Sequence, residues 1–180
     1  MRSSNKLSRI RSILIAPDIV ASLLIALLVI KISPGTISNE FSRDIYNVGI
    51  TVLSIVFSVF FAALAIIISS GDDEFVDFLE QDGNYTKLIS NFRFSLSVLL
   101  FALVYSLILY TITTVWLYNK IVEQSEYLFT FFVFVSTYGL LATFAVTNDA
   151  INYALYRTRF LRLRRENQSK ASRKSEDAKS

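Results

Sequence analysis

The chain has 180 residues, of which 53% are hydrophobic, with 18 basic and 15 acidic side chains and a formal net charge of +3. Its charges gather at the two ends and in one internal loop, which excludes a soluble globule, whose apolar residues would be interleaved with charge. His and Cys are absent. Disulfides, thiolate chemistry, imidazole acid–base catalysis and the usual zinc ligand sets go with them.

Met1–Arg11 is polar and basic, and the apolar segment Ile13–Ile32 follows it. Pro17 suits a first-turn position, Asp18 would lie near the headgroups, and Lys31 could snorkel at the opposite face. No small-residue cleavage site follows the apolar region, so the expectation is an uncleaved first span rather than a removable signal peptide. Ser33–Asp44 is a short connection, with Pro34 and Gly35 as its turn signal.

Ile45–Ser70 carries no charge over twenty-six residues, where a spanning helix needs about 20. Small and hydroxyl residues recur on it at three- and four-residue spacing: Thr51, Ser54, Ser58, Ala62, Ala65 and Ser69. Such a stripe falls on one helix face. In hydrocarbon that face serves either close helix packing or contact with water, and both readings stay open from the sequence.

Gly71–Phe92 begins acidic, with Asp72, Asp73, Glu74, Asp77, Glu80 and Asp82. Phe75, Phe78 and Leu79 recur among these acids, so the spacing predicts a short amphipathic helix over Asp72–Gln81. Asp82, Gly83 and Asn84 form a turn signal, and Tyr85–Phe92 can re-enter a helix that runs into the third span. The predicted unit is a helical hairpin projecting past the membrane. Its acids lack the spacing of a calcium loop and are expected to face solvent and the basic tail.

The third span is Phe94–Tyr118, with Trp116 and Tyr118 placed for an interfacial belt. Asn119–Glu126 reads as a brief polar loop, and Tyr127–Tyr156 as the fourth span. Asn148, Asp149, Asn152 and Tyr153 punctuate the end of that span. Asp18 and Asp149 are the acids within or bordering the spans, which makes them candidates for coupling or ion sites. The alternative is ion pairing with Arg157, Arg159 or an N-terminal Arg. A basic tail, residues 157–180, closes the chain. Lys170–Ser180 has almost nothing to bury and is expected to be disordered.

Fifteen of the 18 Lys and Arg residues fall on the side that holds both termini and the hairpin. The positive-inside rule therefore places both termini in the cytoplasm of an inner-membrane protein. The fold class expected is an all-α integral membrane protein with four spans, a cytoplasmic hairpin and a symmetric homo-oligomeric arrangement. No Gly-rich phosphate cradle, nucleophile elbow or zincin pattern occurs in the sequence, and no enzyme activity or cofactor is expected.

The tail residues Arg157, Arg159, Arg162, Arg164 and Arg165 allow two uses. One is an anchor on anionic lipid of the bilayer. The other is a phosphate-bearing ligand, to which the planar guanidinium is suited. With Asp149 and Asn152 they make up the candidate gate or ligand site.

The stretch Ser69–Ser95, SSGDDEFVDFLEQDGNYTKLISNFRFS, resembles the small four-span membrane effectors of bacterial anti-phage defence. The HalA-like proteins of the Hailong system come first, and the KwaA-like proteins of Kiwa second. That resemblance implies a tetrameric homo-oligomeric channel of the inner membrane, held closed until infection and depolarising the cell when open. It also implies a partner nucleotidyltransferase that makes a nucleotide or single-stranded DNA oligomer, deoxyadenylate in the HalA-like case, to restrain the channel. Two readings from other classes stand beside it: a small proton-coupled transporter using Asp18 or Asp149, and a non-conducting scaffold that docks a cytosolic partner through the tail.

Overall fold

The computed structural model describes residues 17–33, 35–69, 73–81 and 83–177. The basic segment 1–11, the start of the first expected span before Pro17, Pro34, Ser70, Gly71, Asp72, Asp82 and residues 178–180 lie outside the described residues. In chain order the elements are α1 (Pro17–Ile32), β1 (Thr36–Ser38), α2 (Asn39–Ser69), α3 (Asp73–Glu80), α4 (Asn84–Tyr118), β2 (Glu123–Ser125) and α5 (Glu126–Asp177).

Among the described residues three helices are long and apolar enough to cross a membrane: α2, α4 and the first part of α5. The first expected span is different. Of Ile13–Ile32, the described helix α1 has 16 residues, about 24 Å against a hydrocarbon thickness of about 30 Å. It lies against α5, and its buried residues are the small Ser22 and Ala26.

The packing of α4 has a coiled-coil period. Its buried residues are Leu88, Phe92, Ser95, Leu99, Ala102, Ser106, Leu109 and Thr113, alternating steps of four and three. That 3.5-residue repeat keeps one seam toward a neighbouring helix. On α2 the matching large residues recur every seven positions: Tyr46, Leu53, Phe60 and Ile67. Phe60 stacks on Phe92 with centroids 4.7 Å apart, Leu53 clusters with Leu99, and Tyr46 clusters with Leu109, so the two helices run antiparallel. Helix α5 closes the other side. Ser95 donates from Oγ to the Ala142 carbonyl at 3.3 Å, and Gly139 lies against Val98 and Leu99.

At one end the segments expected as plain loops pair instead. Strands β1 and β2 are antiparallel, with Thr36 opposite Ser125 and Ser38 opposite Glu123. Asn39 fastens this clasp. Its backbone N–H donates to the Val122 carbonyl, its Nδ2 donates to the Ile121 carbonyl at 2.8 Å, and the residue is fully buried. Helix α2 therefore starts at Asn39, six residues before the uncharged run, because its backbone N–H and its side-chain amide both find carbonyl acceptors there and Asn is favoured at helix starts. Gln124 donates from Nε2 to the Tyr46 hydroxyl at 2.9 Å beneath the clasp.

At the other end α3 and the start of α4 form the expected hairpin. Gly83 sits at φ 65°, a left-handed conformation that favours glycine. The Glu80 carboxylate accepts from the Thr86 N–H and Thr86 Oγ1 at 3.1 and 2.7 Å, placing negative charge at the α4 N-terminus where the helix dipole favours it. Phe75 is fully buried and Leu79 nearly so, packed with Leu88, Phe92 and Tyr153.

The C-terminal segment departs from expectation. Rather than becoming irregular at Lys170, α5 continues through Asp177 over 52 residues. Arg, Glu, Gln, Lys and Ala propagate an already nucleated helix well even with nothing to bury, and the Arg162–Glu166 pair at 3.3 Å spans one turn of it.

Candidate functional site

The stripe on α2 points away from the chain's own core. Thr51, Ser58, Ala62, Ala65 and Ser69 are exposed and Ser54 is half-buried. It lies nearly opposite the Tyr46–Leu53–Phe60–Ile67 seam, because a two-residue offset is about 200° around a helix. Its hydroxyls are satisfied by their own helix. Thr51 donates to the Asn47 carbonyl at 3.0 Å, Ser54 to Ile50 at 2.5 Å, Ser58 to Ser54 at 2.8 Å and Ser69 to Ile66 at 3.2 Å. Each hydroxyl oxygen keeps acceptor capacity. Large apolar neighbours such as Ile55, Val59 and Phe61 are exposed beside these residues.

At the hairpin end, a pocket of about 550 Å³ opens between α3, α4 and α5. Asn84, Lys87 and Asn91 come from one face of α4, Asp149, Asn152, Tyr153 and Tyr156 from one face of α5, and Phe78, Leu79 and Leu88 form the apolar wall. Asn91 donates from Nδ2 to Asp149 Oδ2 at 3.2 Å. Asp149 is thus held by an amide from α4 rather than by Arg157 or Arg159, because α4 lies alongside α5 while those arginines are two and three turns further along. Among the described residues the hydroxyl of Tyr153, which is 6% exposed, has no hydrogen-bond partner. The buried Nε of Arg157, one turn on, also lacks one among those residues.

Beyond the pocket runs a groove of about 640 Å³, lined by Phe78, Tyr156, Arg159, Phe160, Leu163, Arg164 and Gln168. Phe78 packs on Phe160 with centroids 5.4 Å apart. Arg164 donates to Glu74 at 3.1 Å, so the acidic hairpin meets the basic segment of its own chain. The remaining tail candidates Arg162 and Arg165 are exposed on the same helix. Asp18 stands apart from all of these, half-buried at the start of α1, with its backbone carbonyl accepting from Ser22 Oγ at 2.6 Å.

The structure thus brings Asp149 and Asn152 into one pocket, puts Arg159 and Arg164 in the adjoining groove, and leaves the α2 stripe separate. Asn84, Lys87 and Asn91 are the pocket residues that sequence reasoning missed. Their spacing of three and four, matching that of Asp149, Asn152 and Tyr156, was the available signal. Among the described residues no group of His, Cys, Asp or Glu could hold a metal ion. Comparison with protein-family models, curated proteins and solved structures finds no match.

Proposed function

We propose that the chain is the subunit of a homo-oligomeric inner-membrane ion channel, with both termini in the cytoplasm and α2 nearest the symmetry axis. One observation carries this reading. Helix α2 has two seams, a large apolar one spent inside the protomer and an uncovered small and hydroxyl one on the opposite side. Small residues facing lipid forgo packing, whereas facing copies of themselves they permit close approach or a wetted path.

The groove supports a gating role for an anionic ligand such as a nucleotide or DNA oligomer. Arg159 and Arg164 beside Tyr156, Phe160 and Phe78 combine guanidinium forks for phosphate with aromatic faces for bases. The resemblance over Ser69–Ser95 supports placing such a channel among the effectors of anti-phage defence.

The experiment is ion flux from liposomes that hold the full chain, with and without an oligonucleotide on the cytoplasmic face. Flux that the oligonucleotide changes supports the proposal. Persistent impermeability across voltages and ligand conditions counts against it. A scaffold reading draws on a different observation, the continuation of α5 through Asp177, and predicts partner docking through α5 with no flux at any stage.

A further inference from the structure

We infer that the pocket between α3, α4 and α5 is a binding site for a phosphate-bearing primary amine, the chemistry of a phosphoethanolamine group. The inference concerns a site separate from the arginine groove and does not require the channel reading.

Its polar residues carry one charge of each sign. Lys87 comes from α4 and Asp149 from α5, and both line the same 550 Å³ space. Among the described residues no ion pair joins them, and the Asp149 carboxylate takes one hydrogen bond, from the Asn91 amide. A carboxylate has about four acceptor sites, so one amide N–H leaves room for the three N–H donors of a primary ammonium. Lys87 supplies a compact cation for a phosphate. Asn84 and Asn152 add donors and acceptors around both groups.

Tyr153 provides an independent observation. It lines this pocket, is 94% buried by its 6% exposure, and its hydroxyl has no hydrogen-bond partner among the described residues. The hydroxyl oxygen is sealed from solvent in this conformation, so a phosphate oxygen would accept from it once the side chain shifts toward the pocket, matching a buried donor that is otherwise unpaired. A simple anion would leave Asp149 opposed, and a simple cation would leave Lys87 opposed. A zwitterion satisfies both, and the wall of Phe78, Leu79 and Leu88 accommodates its carbon portion.

The pocket also lies where the apolar run of α5 gives way to Asn148, Asp149 and Asn152, the depth at which a lipid headgroup would be met. The same chemistry can arrive from the bilayer as phosphatidylethanolamine or from water as free phosphoethanolamine.

Native mass spectrometry of the full chain in detergent tests this with phosphatidylethanolamine, phosphatidylcholine and phosphatidylglycerol of identical acyl chains, and with soluble O-phosphoethanolamine. The expected result is phosphatidylethanolamine retained on the order of tenfold better than the other two, as one charge-assisted hydrogen-bond set implies. Phosphatidylcholine lacks N–H donors and phosphatidylglycerol lacks the amine. Asp149→Asn should lose the preference over phosphatidylcholine. Lys87→Gln, at an exposed position, should weaken retention, and Tyr153→Phe should do so by several-fold with little change in shape. Competition by soluble phosphoethanolamine would assign the site to a free ligand, and its failure would assign the site to the lipid. Equal retention of all three lipids by the unaltered chain, or a preference that survives both Asp149→Asn and Lys87→Gln, would overturn the inference.

Discussion

Arg164 on α5 reaches the Glu74 carboxylate on α3 across 3.1 Å, joining the acidic hairpin to the basic end of the last helix. Both side chains are substantially exposed, at 38% and 61%, and such pairs contribute about 0.2–1 kcal/mol. The apolar contacts beneath are stronger. Phe75 is fully buried and packs on Tyr153 and Phe160 with centroids 5.3 and 5.4 Å away, and removing a buried Phe costs about 3–5 kcal/mol. Glu74→Gln should therefore leave α3 docked, whereas Phe75→Ala should release it. Hydrogen exchange over residues 73–81 separates the two: rapid exchange in Glu74→Gln with protection kept in Phe75→Ala would reverse the ranking.

A second prediction concerns the approach of α2 to α5. A Cβ at Gly49 would meet Phe132 Cζ at 2.6 Å, closer than carbon atoms can stand. Phe132 is also edge-on to Tyr46 at 4.8 Å, which limits where its ring can go. Gly49→Ala should destabilise the folded chain by about 1–3 kcal/mol, the usual range for overpacking. Combining it with Phe132→Leu should recover part of the loss. Thermal unfolding in detergent reads both, and an unchanged midpoint for Gly49→Ala would show that the ring moves freely.

The end of α4 offers a stabilising change. Lys120 adopts φ 61°, and its N–H bonds to the Leu117 carbonyl while the Ile121 N–H bonds to that of Trp116. These two bonds make a Schellman cap, whose left-handed position usually holds glycine. Lys120→Gly should raise stability by up to about 1 kcal/mol, because the left-handed conformation costs a side-chain-bearing residue roughly that much. A lowered unfolding midpoint would contradict it.

What was legible beforehand followed from composition and local spacing. The uncharged runs identified the long helices, the Phe75–Phe78–Leu79 spacing identified α3, and Gly83 marked its turn. The clasp at the other end was not legible. Strands of three residues carry almost no periodicity, and Asn39 owes its burial to carbonyls of Ile121 and Val122, more than 80 positions away. The α4 seam was hidden for another reason. Ser95, Ala102, Ser106 and Thr113 alternate there with Leu and Phe, so a hydropathy reading registers only a uniformly apolar run. The pocket needed the antiparallel register of α4 and α5, which brings Asn91 beside Asp149 across 58 positions.

The most direct measurement for the channel reading is water access to the uncovered seam of α2. The chain has no cysteine, so single substitutions report without background. Ser58→Cys and Ala65→Cys, in protein reconstituted into liposomes, should react with a membrane-impermeant thiol reagent and lose ion flux as they do. Leu107→Cys, at an exposed apolar position of α4, serves as the lipid-facing comparison and should stay unreactive. If Ser58→Cys and Ala65→Cys are as inert as Leu107→Cys, with flux unaffected, the seam is buried in lipid or in dry helix contact and α2 lines no aqueous path.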